Sequence, residues 1–171
     1  MDNRIKKHAE VLLKYSLDLK KGEKIVIMGD TVTLPLIKES YCLAVELGAL
    51  PQAMINSEEL KEVLLKGGSE EQIKYVPDSV KKAFETVDVV LSFFGGSNTR
   101  MLSNVNPEKM KLSAQGSSEI SKIFFERVSK KELRWCGTCS PIRRMPRKRT
   151  CLYRITKILF MGQVILIEKT R

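Results

Sequence analysis

The sequence holds one histidine and one tryptophan in 171 residues, and only 6% of it is aromatic. A hydrolytic metal centre draws on several imidazole or carboxylate ligands plus a general base, and a lone His8 provides no such cluster along the chain. Nucleic-acid surfaces that stack bases need aromatics interleaved with cations, and these are missing too. No apolar run approaches the roughly 20 residues of a membrane helix. The longest, Ile158 to Ile167, is interrupted by Gly162 and Gln163. Met1-Asp2-Asn3-Arg4 leads into a charged amphipathic stretch rather than an apolar signal segment. The expected location is therefore the cytoplasm, with the four cysteines as thiols.

What is present suits one folded domain. Apolar residues make up 43% and charged residues 29%, and the length suffices for a core without disulfide staples. The net charge of +10 is unevenly placed. Residues 1 to 130 carry 19 Lys and Arg against 18 Asp and Glu, whereas residues 131 to 171 carry 11 against 2. Three of the four cysteines, Cys136, Cys139 and Cys151, also fall in that last quarter. The chain thus reads as a neutral domain followed by a different kind of sequence.

Periodicity orders the neutral part. Ile5, His8, Ala9, Leu12, Leu13 and Ser16 form one stripe of a helix over Arg4 to Leu19, and Gly22 suits its left-handed C-cap. Continuous apolar runs bounded by turn residues predict buried strands at Lys24 to Met28, Gln52 to Ile55, Asp88 to Phe94 and Leu133 to Gly137. Between them, Thr33 with Pro35 predicts a helix to Leu47 that Gly48 stops. Ser57 with Glu58-Glu59 opens a helix to Lys66, broken by Gly67-Gly68, and Asp78 opens another through Glu85. Asn106-Pro107-Glu108 starts a long helix reaching about Val128. Strands alternating with helices predict an α/β fold, a mostly parallel sheet of about four strands flanked by helices. Trp135, the one large aromatic in a run bounded by charges, is expected to be largely buried.

Each motif has a plain structural reading. Gly95-Gly96-Ser97 follows a strand, but lacks both the dinucleotide spacing and the Walker pattern, and reads as a tight turn. His8 on an apolar stripe reads as a core or half-buried histidine. Cys136-Gly137-Thr138-Cys139 has CxxC spacing, but no amphipathic helix follows, and a zinc site would lack a second ligand pair. Arg143-Arg144-Met145-Pro146-Arg147-Lys148-Arg149 would hold phosphate backbones only non-specifically. A small α/β binding module with a basic tail for nucleic acid or an acidic partner is the alternative reading.

A set of short motifs, in order, carries a resemblance. They are Ala9-Glu10-Val11-Leu12 through Tyr15-Ser16-Leu17, then Lys20-Lys21-Gly22-Glu23-Lys24-Ile25-Val26-Ile27. Pro35-Leu36, Tyr41 and Leu47-Gly48-Ala49 follow, and then Asp88 and Leu133-Arg134-Trp135-Cys136-Gly137-Thr138. Over residues 1 to 138 the chain resembles the N-terminal domain of the thermophilic metallo-aminopeptidases of the aminopeptidase T and aminopeptidase S type. The resemblance implies an exopeptidase family acting on peptides with two divalent ions (zinc, cobalt or magnesium), and subunits that form homodimers. Its Glu, His and Asp ligands lie in the family's C-terminal half, so no catalytic, cofactor-binding or metal-binding residue carries over to this chain. No membrane and no specific nucleic-acid partner is implied.

The resemblance stops at Thr138. The family continues with a segment close to LFPTNAYAQEAEMSLEEYEDFVYGA. Reading the possible codons of Cys139 to Gln163 one base earlier, Cys139-Ser140-Pro141 permits Leu-Phe-Pro and Ile142 to Thr150 permits Asn-Gln-Ala-Tyr-Ala-Gln-Glu-Ala-Asp. Cys151 to Gln163 then permits Met-Ser-Leu-Gln-Asp-Tyr-Glu-Asp-Phe-Val-Tyr-Gly-Ala, with no gap. The division expected is residues 1–138 as an α/β domain and 139–171 as an out-of-frame tail, giving a truncated fragment that is inactive alone. Pro141, Pro146 and seven cations between Arg143 and Lys157, with no acid among them, predict a tail that does not pack.

Overall fold

A computed structural model describes residues 3–95 and 105–139. The basic run, Cys151, Ile158 to Ile167 and the Gly96-Ser97 half of the glycine turn lie outside the described residues.

Four parallel strands form one sheet: β1 (Lys24–Asp30), β2 (Leu50–Asn56), β3 (Val89–Phe94) and β4 (Arg134–Cys139), in the order β2-β1-β3-β4. All four fall where apolar runs predicted them. Before β1 come α1 (Asn3–Glu10) and a π-helical turn, Val11–Ser16. The connections contain α2 (Leu34–Glu46), α3 (Glu58–Gly67), α4 (Glu70–Lys74), α5 (Asp78–Thr86) and α6 (Pro107–Ser129).

Successive side chains on a strand face opposite ways, and two cores result. Ile25, Ile27, Val89, Leu91, Phe93 and Cys136 pack with Ala9, Leu12, Leu13, Leu36, Ile37 and Ala44 of the α1–α2 layer. Val26, Val90 and Leu133 pack on the other face with Phe84 of α5 and Ile120, Ile123 and Phe124 of α6. The sheet is thus covered on both faces, as continuous apolar strands require.

Local caps explain the element ends. Ser57 Oγ accepts from the Leu60 amide, and Asn106 Oδ1 accepts from the Glu108 amide at 2.9 Å. Gly48, at φ +74°, closes α2 with the paired Gly48 N–H to Val45 O and Ala49 N–H to Ala44 O bonds of a Schellman motif. Lys131, at φ +59°, ends α6 in the same way without glycine.

Three expectations are corrected. The first helix does not run to Leu19 with Gly22 as its cap. The Leu17 amide bonds to Leu12 O, five residues back, so the helix widens into a π turn and ends there. Asp18 takes the left-handed φ of +45° after it, and Gly22 at +84° serves the turn into β1. Thr33 sits at the N-cap of α2 but makes no side-chain cap bond, because its hydroxyl donates back to Asp30 O at 2.7 Å. Trp135 is half-buried rather than buried. It packs edge-on to Phe124, with ring centroids 5.9 Å apart, and sits on β4, an outer strand of the sheet.

Candidate functional site

In an open parallel sheet, ligands sit beyond the carboxyl ends of the strands, where the strand order reverses. From β1 the chain winds outward to β2, then returns across β1 to β3, so this reversal lies between β1 and β3. A crevice opens there, lined by Gly29 and Asp30 of β1, Asn56 at the end of β2, Ser57 and Glu58 after it, Lys61, and Ser92 to Gly95 at the end of β3.

The floor of the crevice is fixed locally. Asp30 Oδ1 accepts from the Thr31 amide at 2.6 Å and from Thr31 Oγ1 at 3.0 Å. A Cβ on Gly29 would lie 2.5 Å from Thr33 Oγ1 and 3.0 Å from Phe93, so this position admits no side chain while that turn holds. On the opposite wall, Glu58 Oε2 is buried without a hydrogen-bond partner among the described residues. Lys61 supplies a cation to the same crevice. The arrangement is a polar cleft with one carboxylate locked and another unsatisfied. Among the described residues it contains no nucleophile paired with a base.

The residues singled out from sequence separate in space. His8 is half-buried on α1, with Thr138 Oγ1 3.4 Å from its Nε2, and burial lowers its pKa. Cys136 faces the core, where burial raises its thiol pKa, while Cys139 points to the other face of β4. Three steps along an extended strand span about 10 Å, so the CxxC spacing forms neither a chelate nor a disulfide within this strand. Gly95 lies at the end of β3 in the crevice lining. Among the described residues no three His, Cys, Asp or Glu side chains gather as a metal centre requires. Sequence reasoning missed Asp30, Glu58 and Lys61 as a group, because two segments distant in sequence, the end of β1 and the first turn of α3, bring them together and only their strand-end positions signal it.

Among the described residues no helix is long and apolar enough to cross a membrane. No curated protein matches the sequence. Among solved structures the fold matches wild-type AmpT from Thermus thermophilus, with a TM-score of 0.72 at 18% identity. The match covers 94% of this chain and 42% of that one, so this chain spans less than half the length of AmpT. A family model described as thermophilic metalloprotease (M29) matches residues 1–149, which is most of the chain. The chain therefore belongs to the thermophilic metalloprotease (M29) family, and its described residues correspond to the N-terminal domain of that family.

Proposed function

We propose that this chain is the N-terminal α/β unit of a cytoplasmic, metal-dependent aminopeptidase acting on peptides, and that it has no peptidase activity by itself. The observation that carries the reading is the family match joined to the missing donor set. A metalloprotease family implies bound metal, yet the described residues do not fit one. His8 lies on a helix against β4, Cys136 is sealed in the core, and the Asp30 carboxylate already serves the Thr31 amide. No metal step is therefore assigned to this chain. Its contribution in the full enzyme is to build one wall of the substrate space from the carboxyl-end crevice and to supply subunit contacts. The zinc, cobalt or magnesium pair belongs to residues of the family's C-terminal half.

The tail is part of the same proposal. The abrupt change in charge after residue 130, the clustered cysteines and the codon compatibility of Cys139 to Gln163 with the family's next segment all favour a one-base frame shift near the Thr138 codon. Residues 139–171 are then an out-of-frame translation, and neither the basic run nor the CxxC has a role. The coding DNA tests this directly. A one-base shift at codon 138 should open a reading frame that continues through the family's catalytic half. A stop codon soon after that shift, or a shifted frame unrelated to the family, would refute it.

A further inference from the structure

The α3–α4 pair stands apart from the rest of the fold. Leu65 of α3 and Ile73 of α4 pack with Val105 and with Met110 and Leu112 of α6, in a small third core separate from the two cores on the sheet. α2 buries five residues, whereas α3 buries one, Leu65. Leu60 and Val63 of α3 are 71% and 69% exposed. Among the described residues, the hydrogen bonds and ion pairs of residues 57–75 stay within that segment except for two. Both come from Lys109 of α6, whose Nζ donates to Lys66 O at 3.1 Å and to Gly68 O at 3.3 Å.

The pair is nonetheless firm within itself. The Gly68 amide donates to Leu64 O at 2.8 Å and closes α3. Ser69 Oγ then accepts from the Gln72 amide while Gln72 Oε1 accepts from the Ser69 amide, so a capping box opens α4 directly after α3. At the two ends of the pair, Ser57 and Tyr75 have extended backbone. A second contact with α6 is a close approach of backbones: a Cβ on Gly116 would lie 2.5 Å from Lys74 O. The start of α3 meanwhile supplies Ser57, Glu58 and Lys61 to the carboxyl-end crevice. A unit with a small core of its own and few outward ties opens more readily than the sheet beside it.

We propose that α3 and α4 form a hinged gate on the crevice. They swing as one body about Ser57 and residues 75–77, latched to α6 by Lys109 and by the Gly116–Lys74 contact. Opening the latch exposes the crevice lining at Ser92, which is 7% exposed in the latched state. The gate takes its use from the substrate wall proposed above and rests on that reading. Its opening involves no peptidase chemistry, so it is measured on the 171-residue chain and fails or holds separately from the loss or recovery of activity.

Hydrogen exchange of the 171-residue chain, followed by mass spectrometry, tests the opening. Peptides from α3 and α4 should exchange together, about a hundredfold or more faster than those from β1 and β3. Alanine suits a helix interior better than glycine, so Gly116→Ala keeps α6 intact and pushes only the α4 backbone away. It should speed α3 and α4 by about a further tenfold and leave β1 and β3 unchanged. Lys109→Met keeps the aliphatic stem, removes the donor and should act in the same direction. Access is read with Ser92→Cys, located by peptide mass mapping after iodoacetamide treatment. Its alkylation rate should rise about tenfold when Gly116→Ala is added. Exchange of α3 and α4 as slow as that of β1 and β3, or an effect of Gly116→Ala that is absent or spread equally over the strands, overturns the hinged unit. Alkylation at position 92 that is indifferent to Gly116→Ala overturns the gate.

Discussion

The two rims of the sheet are built differently. At the amino-terminal rim, polar groups tie elements distant in sequence. The Asp88 carboxylate accepts from the Lys24 amide at 2.8 Å, Arg134 reaches both Glu23 and Asp18 O, and Arg127 donates to Phe84 O, Val87 O and Glu132 O. At the carboxyl-terminal rim, apart from the contact between His8 and Thr138, the polar contacts among the described residues are local, as between Asp30 and Thr31, or absent, as at Glu58 Oε2. Phe94, the last residue of β3, is half exposed. Among the described residues, then, the ties between elements distant in sequence gather mainly at the amino rim. This division is common to open α/β sheets, where function gathers at the carboxyl ends.

Breaking the amino rim should have the largest effect. Arg127 is mostly buried, and its guanidinium satisfies carbonyls at the end of α5, ahead of β3 and ahead of β4. Arg127→Ala leaves these without their donor and should cost about 2–4 kcal/mol in urea unfolding. If the loss is below about 0.5 kcal/mol, as for an ordinary surface change, the clamp does not hold the rim.

A smaller gain should come from the same rim. Lys131 closes α6 with a left-handed φ of +59° that glycine adopts without strain. Lys131→Gly should stabilise by about 0.5–1 kcal/mol, read as a rise in the thermal midpoint. An unchanged or lowered midpoint would show that its side chain contributes more than its backbone costs.

The smallest effect belongs to the carboxyl rim. His8 sits against Thr138 near the end of β4, and burial lowers its pKa in the folded state. The unfolded chain then binds more protons near the ordinary imidazole pKa. The stability contributed by neutral His8 is present above that value and fades as pH falls through the lowered one. His8→Gln should flatten the stability profile between neutral and mildly acidic pH. If wild type and variant show equal slopes there, the His8 contact is not the source.

Much of this architecture is written locally. Each strand is an apolar run closed by turn residues, and Ser57 and Asn106-Pro107 mark helix starts within their own neighbourhoods. What was hidden depends on distance. The strand order makes β4 an outer strand, and that leaves Trp135 half-buried. The π turn at Val11–Ser16 is a shift of one residue in hydrogen bonding that a helical period does not reveal. Arg127 bonds to carbonyls 40 and 43 residues away, and no pattern in its own helix announces it. The crevice residues are hidden for the same reason: Asp30, Glu58 and Lys61 meet only because β1 and β2 end side by side.

The proposed function makes the described residues one structural wall of a peptidase whose chemistry lies elsewhere. Its most direct test is an assay of amino-acid release from a short peptide, with cobalt, zinc or magnesium supplied. Two proteins would be compared, the 171-residue chain and a chain whose frame is restored at codon 138 and continued through the family's C-terminal half. The account predicts no release above background by the first and metal-dependent turnover by the second. Metal-dependent turnover by the 171-residue chain, abolished by a substitution at one of its own residues such as His8 or Glu58, would contradict it.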